Sequence, residues 1–234
     1  MFNQRSVEVE IMDDLLCDGP VVEQTLKELD TINLLLGGND VSLSAFRKCF
    51  EKVSKEKPIR IADLGCGSGD LLRILSRKAR KKSLSVSLTG IDANPFIIKY
   101  ATEKSKEYSN INFKCLNVFS KDFRSEKFDL VNCTLFCHHF ENNLLSMLLE
   151  NLGKQTSTAI IINDIHRHWF AYHSIKWLTG LFSSSSMVKN DAKLSVLKAF
   201  RRKELEDIIK KAGYTNYSIQ WKWAFRFEVI IWMK

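Results

Sequence analysis

The sequence predicts an α/β fold built on a largely parallel sheet, and three features carry that prediction. From Ile59 onward, short apolar runs alternate with segments of helical period, the order that builds βαβ units. The runs at 128–134 and 157–164 are apolar without alternation, as strands covered on both faces are. Between the first run and its helix stands Gly65-Cys66-Gly67-Ser68-Gly69. Its glycines let the backbone turn sharply and let a ligand lie directly on it, because no Cβ intervenes.

Taken in order, residues 20–36 predict an amphipathic helix, with Val22, Leu26, Leu29, Asn33 and Leu36 at three-to-four spacing. Gly37-Gly38 supplies a stop, and Asp40 or Ser42 can cap a second helix that runs to Phe50. These helices either pack on the body or cover the ligand side. Residues 59–64 are the first strand and 71–80 the helix after the turn. The bases from Arg77 to Lys82 suit that helix's C-terminal end and the water around it. Residues 86–92 are the second strand, ending in Asp92, and Asn94-Pro95 opens the next helix. Strands follow at 111–117 and 128–134, then a helix at 144–152 closed by Gly153, then the fifth strand at 157–164.

Residues 165–200 exceed a minimal fold of this kind. An aromatic stretch containing Trp169, Phe170, Tyr172 and Trp177 is compatible with a helix, and the serine run 183–186 reads as a loop. Residues 202–212 form the last long helix, stopped by Gly213. The runs 217–221 and 225–232 predict a closing hairpin.

The spacing G-x-G-x-G is not the G-x-G-x-x-G of dinucleotide enzymes. Ala62-Asp63-Leu64-Gly65-Cys66-Gly67-Ser68-Gly69 instead resembles the first motif of class I S-adenosylmethionine-dependent methyltransferases, and the likeness extends over about residues 58–232. It implies a Rossmann-like seven-stranded sheet whose last strand is inserted antiparallel, with S-adenosyl-L-methionine as cofactor. In this reading Gly65, Cys66 and Gly67 carry the methionine part, and Asp63 helps order it. Asp92 accepts both ribose hydroxyls, where a carboxylate outperforms a neutral group, unless it only caps the following helix. Ala93 and Phe96 flank the adenine. Asn117 stands where the family often has an acid, and its amide oxygen can still accept from the adenine amine, with Val118 and Phe119 on the ring face. Cys133 and Thr134, at the end of the fourth strand, complete the cofactor set.

Phe128-Asp129-Leu130-Val131 and the His138-His139 segment are similar to the ubiquinone/menaquinone-type branch of that family. The stretches 162–167, 194–200 and 221–226 resemble methyltransferases of bacterial polyketide and phenolic-lipid pathways. The domain division implied is a helical cover at 1–57 and a methyltransferase domain at 58–234, with a lid inserted at 165–200.

Methyl transfer from a sulfonium needs a positioned nucleophile, and a phenol or enol nucleophile benefits from a base. All five histidines, His138, His139, His166, His168 and His173, follow strand four or strand five, on the substrate side of such a sheet. His166 comes directly after the fifth strand and is the first candidate base, with His138 second and His139 expected to be structural. The aromatic lid suggests a hydrophobic or aromatic acceptor.

No run approaches the roughly 18 apolar residues of a membrane span, and the acidic N-terminus does not read as a signal peptide, so a cytoplasmic protein is expected. The six cysteines form no C-x-x-C pair, and Cys133 and Cys137 with the two histidines lack a second pair to complete a metal site, so none is expected. The net charge of +8 is uneven: residues 1–40 carry −7 and the rest +15. A basic body raises an RNA or protein methyltransferase as an alternative. No Asn-Pro-Pro-Tyr signature or appended basic module supports it, and nucleic acid is not the expected partner. A non-catalytic cofactor-binding module is the other alternative.

Overall fold

The computed structural model describes residues 2–233. One sheet contains β1 (Ile59–Leu64), β2 (Val86–Asp92), β3 (Ile111–Cys115), β4 (Phe128–Thr134), β5 (Thr156–Ile165), β6 (Tyr217–Lys222) and β7 (Arg226–Trp232). Their order is β3-β2-β1-β4-β5-β7-β6. The first five strands are parallel, and β7 enters antiparallel between β5 and β6. The fold expected from the motif resemblance is the fold observed.

The unalternating strands have a direct cause. Consecutive residues of β5 and β7 go to opposite cores. Ile161 and Ile230 join the core that contains Phe46, Leu72 and Leu75, while Ile160, Ile162, Val229 and Ile231 join the one that contains Leu148, Leu152 and Ile208. Each such side chain contributes about 1.5–3 kcal/mol by leaving water, and a strand apolar on both faces cannot remain at a solvated edge. Helices α3 (Asp70–Lys81), α6 (Asn142–Gln155) and α9 (Arg202–Lys211) cover these faces. α4 (Pro95–Lys104) starts at Asn94, whose side chain accepts from the N–H groups of Phe96 and Ile97. A short helix, α5 (Lys121–Ser125), precedes β4.

The N-terminal region divides in a way that the sequence did not predict. α2 (Gly38–Cys49) is a layer of the body: Leu43, Phe46 and Cys49 lie in the same core as Ile59 and Leu72. Neither Asp40 nor Ser42 caps it. Gly37 occupies that position at φ +66°, and the Ser42 hydroxyl instead bonds to Thr134 and accepts from Asn163. The part that lies over the ligand side is α1 (Gly19–Leu35) with the strap of residues before it.

The insertion forms α7 (Trp169–Phe182) and α8 (Ser186–Lys198). The serine run is less slack than the sequence suggests. Glu28 of α1 accepts hydrogen bonds from Ser183 and Ser184, and Ser185 caps α8. Among the described residues no helix is long and apolar enough to cross a membrane.

Gly69 and Gly180 provide a paired test of the packing. Gly69 has φ +75°, and a Cβ there would sit 2.7 Å from the Phe113 ring, whereas a Cβ on helical Gly180 meets nothing within 4 Å. Gly69→Ala is expected to cost about 2–4 kcal/mol in urea unfolding, from backbone strain and overpacking. Gly180→Ala is expected to stabilise by about 0.5–1 kcal/mol.

Candidate active site

A cavity of about 530 Å³ lies at the C-terminal ends of the parallel strands, where open α/β sheets bind ligands. Its floor is the glycine turn. Gly65, Gly67 and Gly69 all have positive φ. The N–H groups of Gly65 and Cys66 donate to the Ile91 carbonyl, which clips the turn to β2. At Gly65 a Cβ would collide with the Phe136 ring, while at Gly67 only Leu26 comes near, at 3.8 Å. Gly67 therefore leaves the floor open to a ligand.

Asp92 projects from the end of β2. One of its carboxylate oxygens accepts from Gly67 N–H at 3.4 Å and the other from Asn94 N–H at 3.0 Å. Burial raises its pKa, and these backbone donors offset the rise only in part. Its remaining lone pairs are free for hydroxyl donors. Asp63 lies deeper, with the Asn132 amide at 2.6 Å. Burial pushes Asp63 to about 7, helped by the charges of Asp70 and Asp92. α1 closes the cavity from above: Asp30 accepts from the Ser68 hydroxyl at 2.7 Å, and burial beside Asp70 lifts it to about 6.

At the other end of the cavity the strap meets the loop after β4. His138 is buried, with Nδ1 2.7 Å from Asp164 and Nε2 3.6 Å from Glu10. Burial opposes its charge, but Asp164 and Glu10 outweigh that and raise it to about 9. His139 Nδ1 lies 2.5 Å from Asp13, and the two imidazole rings stack with centroids 4.4 Å apart. Lys198 of α8 donates to Asp13 at 3.0 Å. Asp191 of α8 accepts from the N–H groups of Ile11 and Met12, which holds the strap in place.

The cavity gathers Asp63, Gly65, Cys66, Gly67, Asp92, Ala93, Asn117, Val118, Thr134 and His138. The Asn117 amide oxygen already accepts from Phe119 N–H at 2.9 Å, leaving its second lone pair available. Cys133 is not in the cavity. It is buried in the core next to Cys137, because strand alternation turns its side chain away from that of Thr134. Phe96 packs with Val22, Leu26 and Ile97, and Ile97 takes the cavity position instead.

His166 is also outside the cavity. Past the end of β5 the chain bridges to Phe200 and donates to the Phe225 carbonyl, which packs the His166 ring against Phe227. The aromatic wall expected from α7 is absent as well. Trp169 and Trp177 are 56% and 65% exposed, and α8 lines the cavity through Val188, Asp191, Ala192 and Ser195. The sequence reading missed Glu10, Asp13, Asp30 and Asp191. For the first three the only signal was the acidic excess of the first 40 residues, which carries no address, and Asp191 had none.

A family model described as a methyltransferase domain matches residues 55–214. The chain is 24% identical over 178 residues to a carboxy-S-adenosyl-L-methionine synthase of Helicobacter pylori (strain HPAG1), covering 72% of each chain. It is 24% identical over 202 residues to the Campylobacter jejuni (serotype O:6) protein of the same name, covering 78% of this chain and 81% of that one. Among solved structures, the plantazolicin methyltransferase BpumL in complex with a triazolic desmethylPZN analog and SAH has TM-score 0.66 at 20% identity, covering 90% of each chain. The citrinin polyketide synthase CMeT domain has TM-score 0.58 at 15% identity, covering 76% of this chain but only 46% of that one.

Asp63 predicts a pH dependence of stability. Its folded pKa of about 7 stands above the ordinary 3.8, so the stability it allows is complete below pH 3.8 and is lost as pH rises through about 7. Asp63→Asn keeps the acceptor for Asn132 and cannot ionise. In thermal unfolding it is expected to exceed the native protein at pH 8, with the gap closing toward pH 4. A gap independent of pH would mean that Asp63 is not the titrating group.

Proposed function

The chain belongs to the methyltransferase domain family, whose members use S-adenosylmethionine, and on that premise we propose that it methylates a hydroxyl of a hydrophobic, aromatic small molecule of polyketide or phenolic type. The observation that carries this reading is the two-ended cavity. A glycine floor with Asp92 lies at one end, and a polar cluster of Glu10, His138 and His139 lies at the other, within apolar walls that include Leu29, Phe119 and Phe140. A general cavity for bound molecules is mostly apolar with a few convergent polar groups, and this one has that character. The similarity of 128–140 to ubiquinone/menaquinone-type enzymes supports the same acceptor class, lipid-soluble phenols.

We assign Gly65, Cys66 and Gly67 to the methionine part of the cofactor and Asp92 to the ribose. Ala93, Asn117 and Val118 take the adenine, Thr134 borders the methionine end, and Asp63 orders the turn. The open face of Gly67 and the lone pairs of Asp92 fit such a molecule. Bound, it supplies an electrophilic methyl group on a positively charged sulfur. The protein's part is to hold the acceptor oxygen in line with that methyl and to exclude water. His138 is the residue we place at the acceptor oxygen: Asp164 fixes its ring, and Nε2 is free of hydrogen bonds at the cavity end. His166 has no route to that oxygen. α1 forms the wall that must part to admit the acceptor.

Asp92→Ala is expected to weaken S-adenosylhomocysteine binding by about 1.5–3 kcal/mol in calorimetry, the scale of a lost charged hydrogen bond. For methylation of a phenolic acceptor, His138→Gln is expected to lower kcat/KM at least about 100-fold. His166→Ala is expected to stay within about threefold of native. If activity follows His166 instead, the acceptor lies on the other side of β5.

A further inference from the structure

We propose that Glu10, His138 and His139 bind a divalent transition-metal ion, with zinc the best match, at the acceptor end of the cavity. Among the described residues, one ligand atom from each of these three side chains lies within 4.8 Å of the others. Glu10 Oε1 and His138 Nε2 stand 3.6 Å apart, too far for a good hydrogen bond. Neither atom has a hydrogen-bond partner, although Glu10 is 5% and His138 2% exposed. Two orphaned buried atoms facing each other at that distance call for something between them. Donors bound to one zinc ion at its usual bond lengths stand about 3.3 Å apart, so Glu10 and His138 need only a small adjustment, and His139 closes in from within 4.8 Å.

The surroundings match what metal-binding imidazoles use. Each histidine has its Nδ1 on a carboxylate, His138 on Asp164 and His139 on Asp13, and His138 Nε2 faces Glu10. Glu10 Oε2 accepts from Ser195 at 3.0 Å, leaving Oε1 as its single ligand atom. Lys198 competes for Oε1 at 3.6 Å, but its closer contact is Asp13 at 3.0 Å, where it stays when the ion binds. Two nitrogens and one carboxylate oxygen favour zinc-like ions over magnesium or calcium, and three protein ligands leave one position open.

The role of the ion rests on the O-methylation reading above. The acceptor hydroxyl binds at the open position, so His138 acts on it through the ion rather than directly; the ion's charge lowers the hydroxyl's pKa and its proton passes to water. The oxygen lone pair then forms the new O–C bond while the C–S bond breaks. Its electron pair goes to sulfur, giving the methyl ether and neutral S-adenosylhomocysteine.

The test is calorimetric titration of chelator-treated, dialysed protein with Zn²⁺, repeated with Co²⁺ and read by its visible absorption. One equivalent is expected to bind, with the absorption of a four-coordinate nitrogen and oxygen site. Glu10→Gln and His139→Gln are expected to weaken that binding at least 30-fold while still unfolding in a single cooperative transition. Absence of stoichiometric binding, or binding unchanged in both variants, would overturn the site. The two readings fail separately. Stoichiometric Zn²⁺ binding without methylation of any phenolic acceptor would sink O-methylation and keep the site. Phenol methylation that is undiminished in metal-free protein would remove the ion from the mechanism and leave the function standing.

Discussion

One buried imidazole joins three parts of the chain that are far apart in sequence. His138 follows β4, Asp164 lies at the end of β5, and Glu10 comes from the strap before α1. Breaking a buried pair of this kind by removing one partner typically costs about 3–5 kcal/mol, because the other charge stays behind. Asp13 of the strap pairs with His139 and Lys198, and Asp191 takes the N–H groups of Ile11 and Met12, so the strap cannot leave its place without stranding these groups. Arg5 reinforces the closure by donating to the carbonyls of Lys198 and His138. Cavity wall and cavity floor are thus parts of one cooperative structure.

The cofactor end carries the opposite electrostatic condition. Asp63, Asp92 and Asp30 all have raised pKa values, and burial is the largest cause in each case. None of the three takes a cation within close hydrogen-bonding range among the described residues; the nearest, Arg73, stands 3.9 Å from Asp30. These carboxylates cost stability in the absence of ligand, and in the reading proposed above Asp92 gains hydroxyl donors when the cofactor binds. A site under such strain is stabilised by its own ligand through mass action, and it is the kind of place where natural proteins trade stability for function.

The charge asymmetry of the sequence has a structural explanation. The N-terminal acids that matter turn inward. Glu10 and Asp13 meet His138, His139 and Lys198, Glu28 holds the serine run, and Asp30 meets Ser68. The acidic segment is docked on a basic body by short, directional contacts rather than by a diffuse field. The aromatic residues of α7 do the reverse and face outward, because the space over the cavity is already taken by α1, α8 and the strap.

The sequence alone determined the sheet, the glycine turn and the acid at the end of β2. These are local signals: apolar runs of fixed length, φ values open only to glycine, and a carboxylate at a strand's C-terminal end. It also placed the histidines on the correct side of the sheet, since strand ends in a βαβ chain share one edge. Only the tertiary structure decided which histidine faces the cavity. His138 and His166 look equivalent in sequence, yet the chain after β5 is pulled along the sheet edge by Phe200 and Phe225. Cys133 and Thr134 were separated by strand alternation, whose phase no single residue announces. Glu10 lies 128 positions before His138, and no periodicity or spacing links them. Their meeting follows from the docking of a whole segment, which is a sum of many long-range contacts and leaves no mark at either residue.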